Sequence, residues 1–135
     1  MKTVAELLQS KGNASVYTIS PEQTVLEAVA LMADKGIGAL LVTEGSDVVG
    51  IITERDYARK VILLERSSQA TPVSDIMTAA VMYVHPNQTS SECMKLMTEK
   101  RLRHLPVLEN GKLLGLLSIG DLVKGVISDQ QETID

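Results

Sequence analysis

Apolar residues occur along the chain in strand-like runs and at helical spacing, and the same order of these patterns occurs twice. Short β-rich pieces at 16–19 (VYTI) and 81–84 (VMYV) each run into a proline that breaks them. Apolar residues then recur at helical spacing, as in Ala28, Leu31 and Met32. Two apolar runs follow and predict a strand hairpin. Each half of the chain is therefore predicted to fold as strand, helix, strand, strand and helix.

Threonine and glutamate mark where the first helix of each half begins. Thr24 with Glu27, and Thr89 with Glu92, have the spacing of a capping box. In that motif the threonine oxygen and the glutamate carboxylate bind backbone N–H groups that the first turn leaves unpaired. Both helices are predicted to begin directly after these threonines.

Residues with unusual backbone freedom mark the ends of elements. Gly36 can end the first helix in a left-handed conformation. Arg101 stands at the equivalent position in the second half, where the end of the helix is therefore less clear. Asn110-Gly111 predicts a type I′ hairpin turn in the second half.

Further helices complete the predicted order. A closing helix is expected at 54–64 in the first half and at 119–128 in the second. A leading helix is expected near 4–8, and VSDIM at 73–77 is predicted to form one helical turn before the second half.

An internal duplication underlies this pattern. Residues 16–62 align without a gap on 81–127 at an offset of 65, and 15 of the 47 aligned positions are identical. Each copy is too small to bury its sheet alone, so we expect an α+β fold of two β-α-β-β-α repeats packed sheet to sheet about a pseudo-twofold axis. The predicted domains are a leading helix and linker at 1–15, repeat 1 at 16–65, a linker with a short helix at 66–80, repeat 2 at 81–128 and a tail at 129–135.

The composition of the chain disfavours binding to nucleic acid. Aromatic residues make up 2% of the chain, with three Tyr and no Phe or Trp, whereas proteins that bind single-stranded nucleic acid stack bases on aromatic side chains. The net charge of −4 and the pI near 5.2 also disfavour a phosphate-backbone binder. The basic run at 100–104 (KRLRH) keeps a nucleic-acid-associated regulator open as the weaker alternative.

Hydropathy and cysteine content indicate a cytoplasmic protein. The longest apolar stretches, such as 37–42, are far shorter than the roughly 18 residues that span a bilayer, and the first residues do not resemble a signal peptide. The single cysteine, Cys93, excludes an internal disulfide and a cysteine-rich zinc site. It aligns with Ala28 on the apolar helix face, where a buried side chain is expected.

The motif Gly-x-x-(Thr/Ser)-x-x-Asp occurs once in each repeat, as GIITERD at 50–56 and GLLSIGD at 115–121. One interpretation is helix capping by Thr53 and Ser118, with the aspartate favoured by the helix dipole. The other is ligand binding, because a helix start attracts anions and a carboxylate there can accept hydrogen bonds from both ribose hydroxyls. The two interpretations are compatible.

The order of these motifs closely resembles a tandem pair of cystathionine-β-synthase (CBS) domains. The resemblance rests on the gapless repeat, VSDIM at 73–77, RHLPV at 103–107 and the two motifs, and it covers about residues 4–128. GIITERDYARK, EKRLRHLPV and LLSIGDLVKGVI are similar to the stand-alone bacterial members. The resemblance implies a regulatory, energy-sensing module without catalysis that binds AMP, ATP or NAD(H) between its repeats. It also implies a homodimer that modulates an unidentified partner protein.

The resemblance also implies two nucleotide sites, each combining a motif with strand residues of the other repeat. The first site would consist of Thr53, Asp56, Met82, Tyr83, Arg103 and His104. The second would consist of Ser118, Asp121, Tyr17, Thr18, Gly38 and Ala39.

The two implied sites differ in charge. Arg103 and His104 are the expected phosphate contacts, since charge-assisted hydrogen bonds are strong. Gly38-Ala39 occupies the equivalent position in repeat 1 and leaves room instead. Arg55 either contacts phosphate or lines a solvated helix face. The two sites are therefore expected to bind ligand unequally.

An enzyme is the third hypothesis, and the sequence offers little for it. The chain has one cysteine, two scattered histidines and no cluster with the spacing of metal ligands. A nucleophile, a base and a group that orients them are what an active site requires. We expect no catalytic residues, no metal and no catalytic cofactor.

Overall fold

The computed structural model describes residues 1–11 and 16–134, with side chains up to residue 131. Residues 12–15 of the predicted leading linker and Asp135 of the predicted tail lie outside the described residues. The described chain divides into two compact units. The first unit contains residues 16–81, and the second contains the residues before 12 together with those from 82 onwards.

The elements follow the predicted order in both halves. In chain order they are α1 (Val4–Ser10), β1 (Thr18–Ile19), α2 (Val25–Lys35), β2 (Ala39–Glu44), β3 (Asp47–Thr53), α3 (Glu54–Tyr57) with a π-helical turn (Ala58–Ile62), a 3-10 turn (Val73–Asp75), α4 (Ser90–Lys100), β4 (His104–Glu109), β5 (Lys112–Ser118) and α5 (Ile119–Ile134).

The first unit contains a three-stranded sheet in the order β1-β2-β3. Strand β1 runs parallel to β2, and β2 runs antiparallel to β3, with Ala39 opposite Thr53. The π-helical turn ends the closing helix at Ile62, two residues before the predicted end. Side chains from the sheet, α2 and the 3-10 turn form one buried core that includes Met32, Leu40 and Ile76.

The second unit has a two-stranded sheet rather than the predicted three. Strand β4 runs antiparallel to β5, with His104 opposite Ser118. The VMYV piece adds only a single parallel bridge, between Val84 and Val107. Pro106 stands in β4 where β2 has Leu41, and proline has no N–H with which to extend the ladder. A strand prediction based on β-rich composition missed this effect.

A lead segment docks on each unit, and we use that name for residues 3–11 and 72–78. Val73 N donates to Gln23 O at 2.8 Å, and Val4 N donates to Gln88 O at the same distance. Helix α1 therefore packs on repeat 2 although it precedes repeat 1 in the sequence. The 3-10 turn of the second segment packs on repeat 1.

Some predicted ends of elements are confirmed, but α5 runs six residues beyond its predicted end at residue 128, to Ile134, and so enters the predicted tail. Gly36 ends α2 in the left-handed region (φ 65°), and Arg101 itself adopts that region (φ 56°) to end α4. Asn110 and Gly111 both have positive φ, as a type I′ turn requires. Helix α1 runs two residues beyond its predicted end, to Ser10.

The predicted capping boxes of α2 and α4 are only half formed. Thr24 Oγ1 accepts from Glu27 N at 3.2 Å, as predicted. The Glu27 carboxylate instead accepts from the Thr24 hydroxyl and from the side-chain amide of Gln23. Gln23 precedes Glu27 by four residues, and its Nε2 lies 2.8 Å from Glu27 Oε2. Thr89 and Glu92 repeat this arrangement.

Cys93 is fully buried in the second unit, as predicted. Burial raises the pKa of its thiol, and the nearby Glu92 carboxylate adds to the shift. Among the helices that the structure describes, none is long and apolar enough to cross a lipid bilayer.

Candidate functional site

The motif of the first unit forms a complete capping box where β3 meets α3. Thr53 Oγ1 accepts from Asp56 N at 3.1 Å. In return, Asp56 Oδ2 accepts from both Thr53 N and Thr53 Oγ1 at 3.0 Å. The side chain of Asp56 is 13% exposed. The capping interpretation of this motif is confirmed.

The motif of the second unit repeats the geometry where β5 meets α5. Asp121 Oδ2 accepts from Ser118 N at 2.7 Å and from Ser118 Oγ at 3.0 Å, and Asp121 N donates to Ser118 Oγ at 3.2 Å. The Asp121 side chain is 14% exposed. Both repeats therefore hold a mostly buried carboxylate in a fixed orientation at the start of the closing helix.

A lysine ammonium contacts each motif carboxylate and ties it to the docked lead segment. Lys60 Nζ lies 3.1 Å from Asp56 Oδ1 and donates to Ile76 O at 2.9 Å. Lys11 Nζ lies 3.0 Å from Asp121 Oδ2 and donates to a carbonyl of β5, Leu116 O, at 2.6 Å.

Sequence reasoning missed both lysines. Lys60 follows Asp56 by four residues, so helical spacing could have found it. Lys11 and Asp121 lie at opposite ends of the chain, and nothing in the sequence pairs them.

Asp121 is held in its charged form. Burial raises the pKa of its carboxyl, but the hydrogen bond from Ser118 N, together with the hydrogen bond and charge of Lys11, brings that pKa below its ordinary value of 3.8. Hydrogen bonds to the ionised form favour it. The carboxylate is therefore an acceptor at neutral pH.

The motif glycines are explained by packing. A Cβ on Gly50 would lie 2.6 Å from Met77 Sδ and 3.1 Å from Thr78 O, and a Cβ on Gly115 would lie 2.7 Å from Leu8 Cδ2. In both units the lead segment covers the glycine so closely that a Cβ there would force an atom of that segment to shift.

Each unit also brings its own predicted strand residues next to its motif. Glu54 N donates to Gly38 O at 3.1 Å, and Ile119 N donates to Arg103 O at 2.9 Å. Ala39 is 2% exposed, so its side chain belongs to the core. Gly38 is half-buried and Arg103 is exposed.

The remaining predicted residues occupy the first strand region of each repeat and α3. Tyr17 is half-buried, with Lys35 Nζ 5.2 Å from its ring centroid, and Thr18 is exposed. Met82 and Tyr83 are 40% and 49% exposed. His104 is half-buried, and Arg55 is exposed on α3. The joining of these residues with the motif of the other repeat stays a prediction.

No group of three or more His, Cys, Asp or Glu side chains in the described part of the chain is arranged to hold a metal ion.

Several known proteins are similar to this chain in sequence and in fold. The family model of the CBS domain matches residues 4–63 and 73–128. A solved CBS-domain protein from Burkholderia ambifaria is 60% identical, with a TM-score of 0.91 and coverage of 96% of both chains. A mitochondrial CBS domain-containing protein of Arabidopsis thaliana is 38% identical over 140 residues, which cover 98% of this chain and 68% of the relative.

A more distant structure contains a ligand. A CBS domain protein from Pyrobaculum aerophilum, complexed with AMP, is 22% identical with a TM-score of 0.79, and the match covers 89% of both chains. At that identity the likeness concerns the fold. The family model and the closer relatives together show that this chain belongs to the CBS domain family, with two CBS repeats.

Proposed function

We propose that this chain is a regulatory module that binds an adenine nucleotide through the aspartate of its repeated motif. The observation that carries the proposal is the pair of mostly buried carboxylates, Asp56 and Asp121, each fixed by a capping hydroxyl at the start of a closing helix. A carboxylate at such a position can accept both hydroxyls of a ribose. The AMP bound by the relative from Pyrobaculum aerophilum supports adenine nucleotides as the ligand class.

The capping box of Asp121 uses one oxygen of its carboxylate. The two hydrogen bonds from Ser118 and the contact with the Lys11 ammonium all fall on Oδ2. Oδ1 can therefore accept from a ribose hydroxyl without breaking the capping box. On Asp56 the Lys60 ammonium contacts Oδ1, and a ribose there has to displace it.

Unequal phosphate binding is the second part of the proposal. Arg103 is exposed beside the motif of its own repeat, and its guanidinium suits phosphate oxygens. Gly38 occupies the equivalent position in repeat 1 and supplies no charge. This difference favours AMP or ATP where Arg103 contributes, and a longer ligand such as NAD(H) where Gly38 leaves space.

The last part of the proposal is that the module responds to its ligand as a homodimer. Apolar side chains such as Val123 and Ile127 are exposed on α5, which supports a homodimer that passes ligand binding to a partner protein. A ligand shifts such an equilibrium only by the difference between its affinities for the two states.

The test is calorimetric titration of Asp56→Asn, Asp121→Asn and the double variant with AMP and 2′-deoxy-AMP. Each substitution keeps the shape but removes the charge, so the affected site should lose about 1.5–3 kcal/mol of binding free energy. The parent should also bind 2′-deoxy-AMP more weakly than AMP.

The matched control is Asp47→Asn, an exposed carboxylate at the start of β3, which should bind like the parent. If the double variant binds AMP as the parent does, the aspartates only cap their helices and the proposal is wrong.

A further inference from the structure

A cavity of about 210 Å³ lies in the second unit where α1 packs on α5. Three lysines and the motif carboxylate line it, with a serine from each helix. These residues are Lys2, Ser10, Lys11, Asp121, Lys124 and Ser128.

Close packing of the two helices fixes the cavity in place. A Cβ on Gly125 would lie 2.5 Å from Leu7 Cδ2, so the absence of a side chain at Gly125 lets Leu7 of α1 pack directly against α5. Leu7 and Gly125 are buried and also line the cavity. The lysines stand around this contact.

The lining favours an anion. Lys2, Lys11 and Lys124 contribute three positive charges, Asp121 and the neighbouring Asp129 contribute two negative charges, and the net charge around the cavity is +1. The Asp121 carboxylate already contacts Lys11 at 3.0 Å. Asp129, beside the cavity, accepts from the backbone N of Lys2 at 3.2 Å. The hydroxyls of Ser10 and Ser128 add neutral donors.

We propose that this cavity binds the phosphate chain of a nucleotide whose ribose is held by Asp121, an inference that rests on the proposed function. The volume of about 210 Å³ lies below the roughly 300–1,000 Å³ of pockets that enclose whole ligands. It therefore suits two or three phosphate groups rather than an entire nucleotide. The preferred ligand carries a chain of two or three phosphates, as ADP, ATP and the diphosphate-linked NAD(H) do.

The lysines of this cavity supply positive charge to the second predicted site, the one that contains Ser118 and Asp121. Its predicted strand residues, Gly38 and Ala39, carry no cation. Lys11 and Lys124 provide cations from the lead segment and from the closing helix of the same unit. Because the Lys11 ammonium already contacts Asp121 Oδ2, transfer of that ammonium to a phosphate leaves Oδ2 to its two capping hydrogen bonds from Ser118, and Oδ1 accepts from the ribose.

The test compares adenosine, AMP, ADP and ATP by calorimetry on the parent, Lys124→Gln and Lys112→Gln. Lys112 is exposed at the β4–β5 turn of the same unit and loses the same charge, so it is the matched control. Lys124→Gln should weaken ATP by about tenfold, or about 1.4 kcal/mol, and leave adenosine unchanged. Lys112→Gln should leave all four ligands unchanged.

Nuclear magnetic resonance of the ¹⁵N-labelled protein locates the phosphates. Inorganic tripolyphosphate alone should shift the amide signals of Ser10, Gly125 and Ser128 in the parent and not in Lys124→Gln. If the parent fails to bind adenosine, the proposed function is overturned and this inference with it. If adenosine binds but Lys124→Gln and Lys112→Gln weaken ATP equally, or tripolyphosphate leaves those signals in place, only the inference is overturned.

Discussion

Replacing Gly50 with alanine places a methyl group where the lead segment approaches β3. The new Cβ would lie 2.6 Å from Met77 Sδ, 3.0 Å from Met77 Cγ and 3.1 Å from Thr78 O. The methionine side chain can rotate away. Thr78 O is less free, because it accepts from Ile51 N at 3.0 Å while Thr78 N donates to Ile51 O at 2.9 Å.

The equivalent change in repeat 2 is milder and serves as the control. A Cβ on Gly115 would meet only the Leu8 side chain, at 2.7 Å from Cδ2 and 3.4 Å from Cδ1. Neither glycine has positive φ, so the entropy change of the unfolded chain is similar for both and cancels in the comparison. Overpacking costs about 1–3 kcal/mol, so we expect Gly50→Ala near the upper end and Gly115→Ala near the lower end.

Urea unfolding followed by circular dichroism measures both losses. The chain has no Trp, so intrinsic tryptophan fluorescence offers no probe. Equal losses in the two variants, or a larger loss for Gly115→Ala, would refute the claim that the Thr78 backbone limits packing at Gly50. Once corrected for stability, the AMP affinity of Gly50→Ala should match that of the parent, since the glycine is assigned to packing.

Two further predictions concern charge. The pKa of Asp121 is lowered in the folded protein. The Asp121 carboxylate therefore makes its full contribution to the free energy of unfolding above its ordinary pKa of 3.8. That contribution is lost as pH falls through the folded pKa. Asp121→Asn should therefore lower the urea midpoint less at about pH 3 than at pH 7, and an equal reduction at both would contradict the assignment. Arg103→Ala should weaken AMP by about tenfold and leave adenosine unchanged in calorimetry. Equal losses for both ligands would show that Arg103 supports the fold instead.

Local chemistry explains what the sequence could predict. Thr53 and Asp56 stand three residues apart, so their capping box was predictable from spacing, although the same spacing at Thr24 and Glu27 gives only half a box. The turn at Asn110-Gly111 depends equally on two adjacent residues with positive φ. The missing third strand of repeat 2 was also predictable, because Pro106 is visible in the sequence.

Contacts between distant segments were beyond such reasoning. Lys11 binds the carboxylate of Asp121 only because α1 docks on repeat 2. The cavity beside it depends on the same docking and on the buried glycine of α5, Gly125. Helical periodicity gives the apolar face of a helix such as α1, but not the surface that the face covers.

The two repeats also differ at the edge of their second hairpin strand, where Ile51 and Leu116 are equivalent. In repeat 1 the backbone of Thr78 pairs with Ile51 through neutral hydrogen bonds, and the Lys60 ammonium joins Ile76 O to the Asp56 carboxylate. In repeat 2 helix α1 continues past this level, and the Lys11 ammonium takes the carbonyl of Leu116 instead. A neutral backbone pair does not respond to an arriving anion, whereas an ammonium shared between a carbonyl and a carboxylate does. Duplication thus produced two similar folds, and each contains an ammonium shared between a carbonyl and a carboxylate that a phosphate can compete for. The ammonium belongs to the closing helix in repeat 1 and to the lead segment in repeat 2.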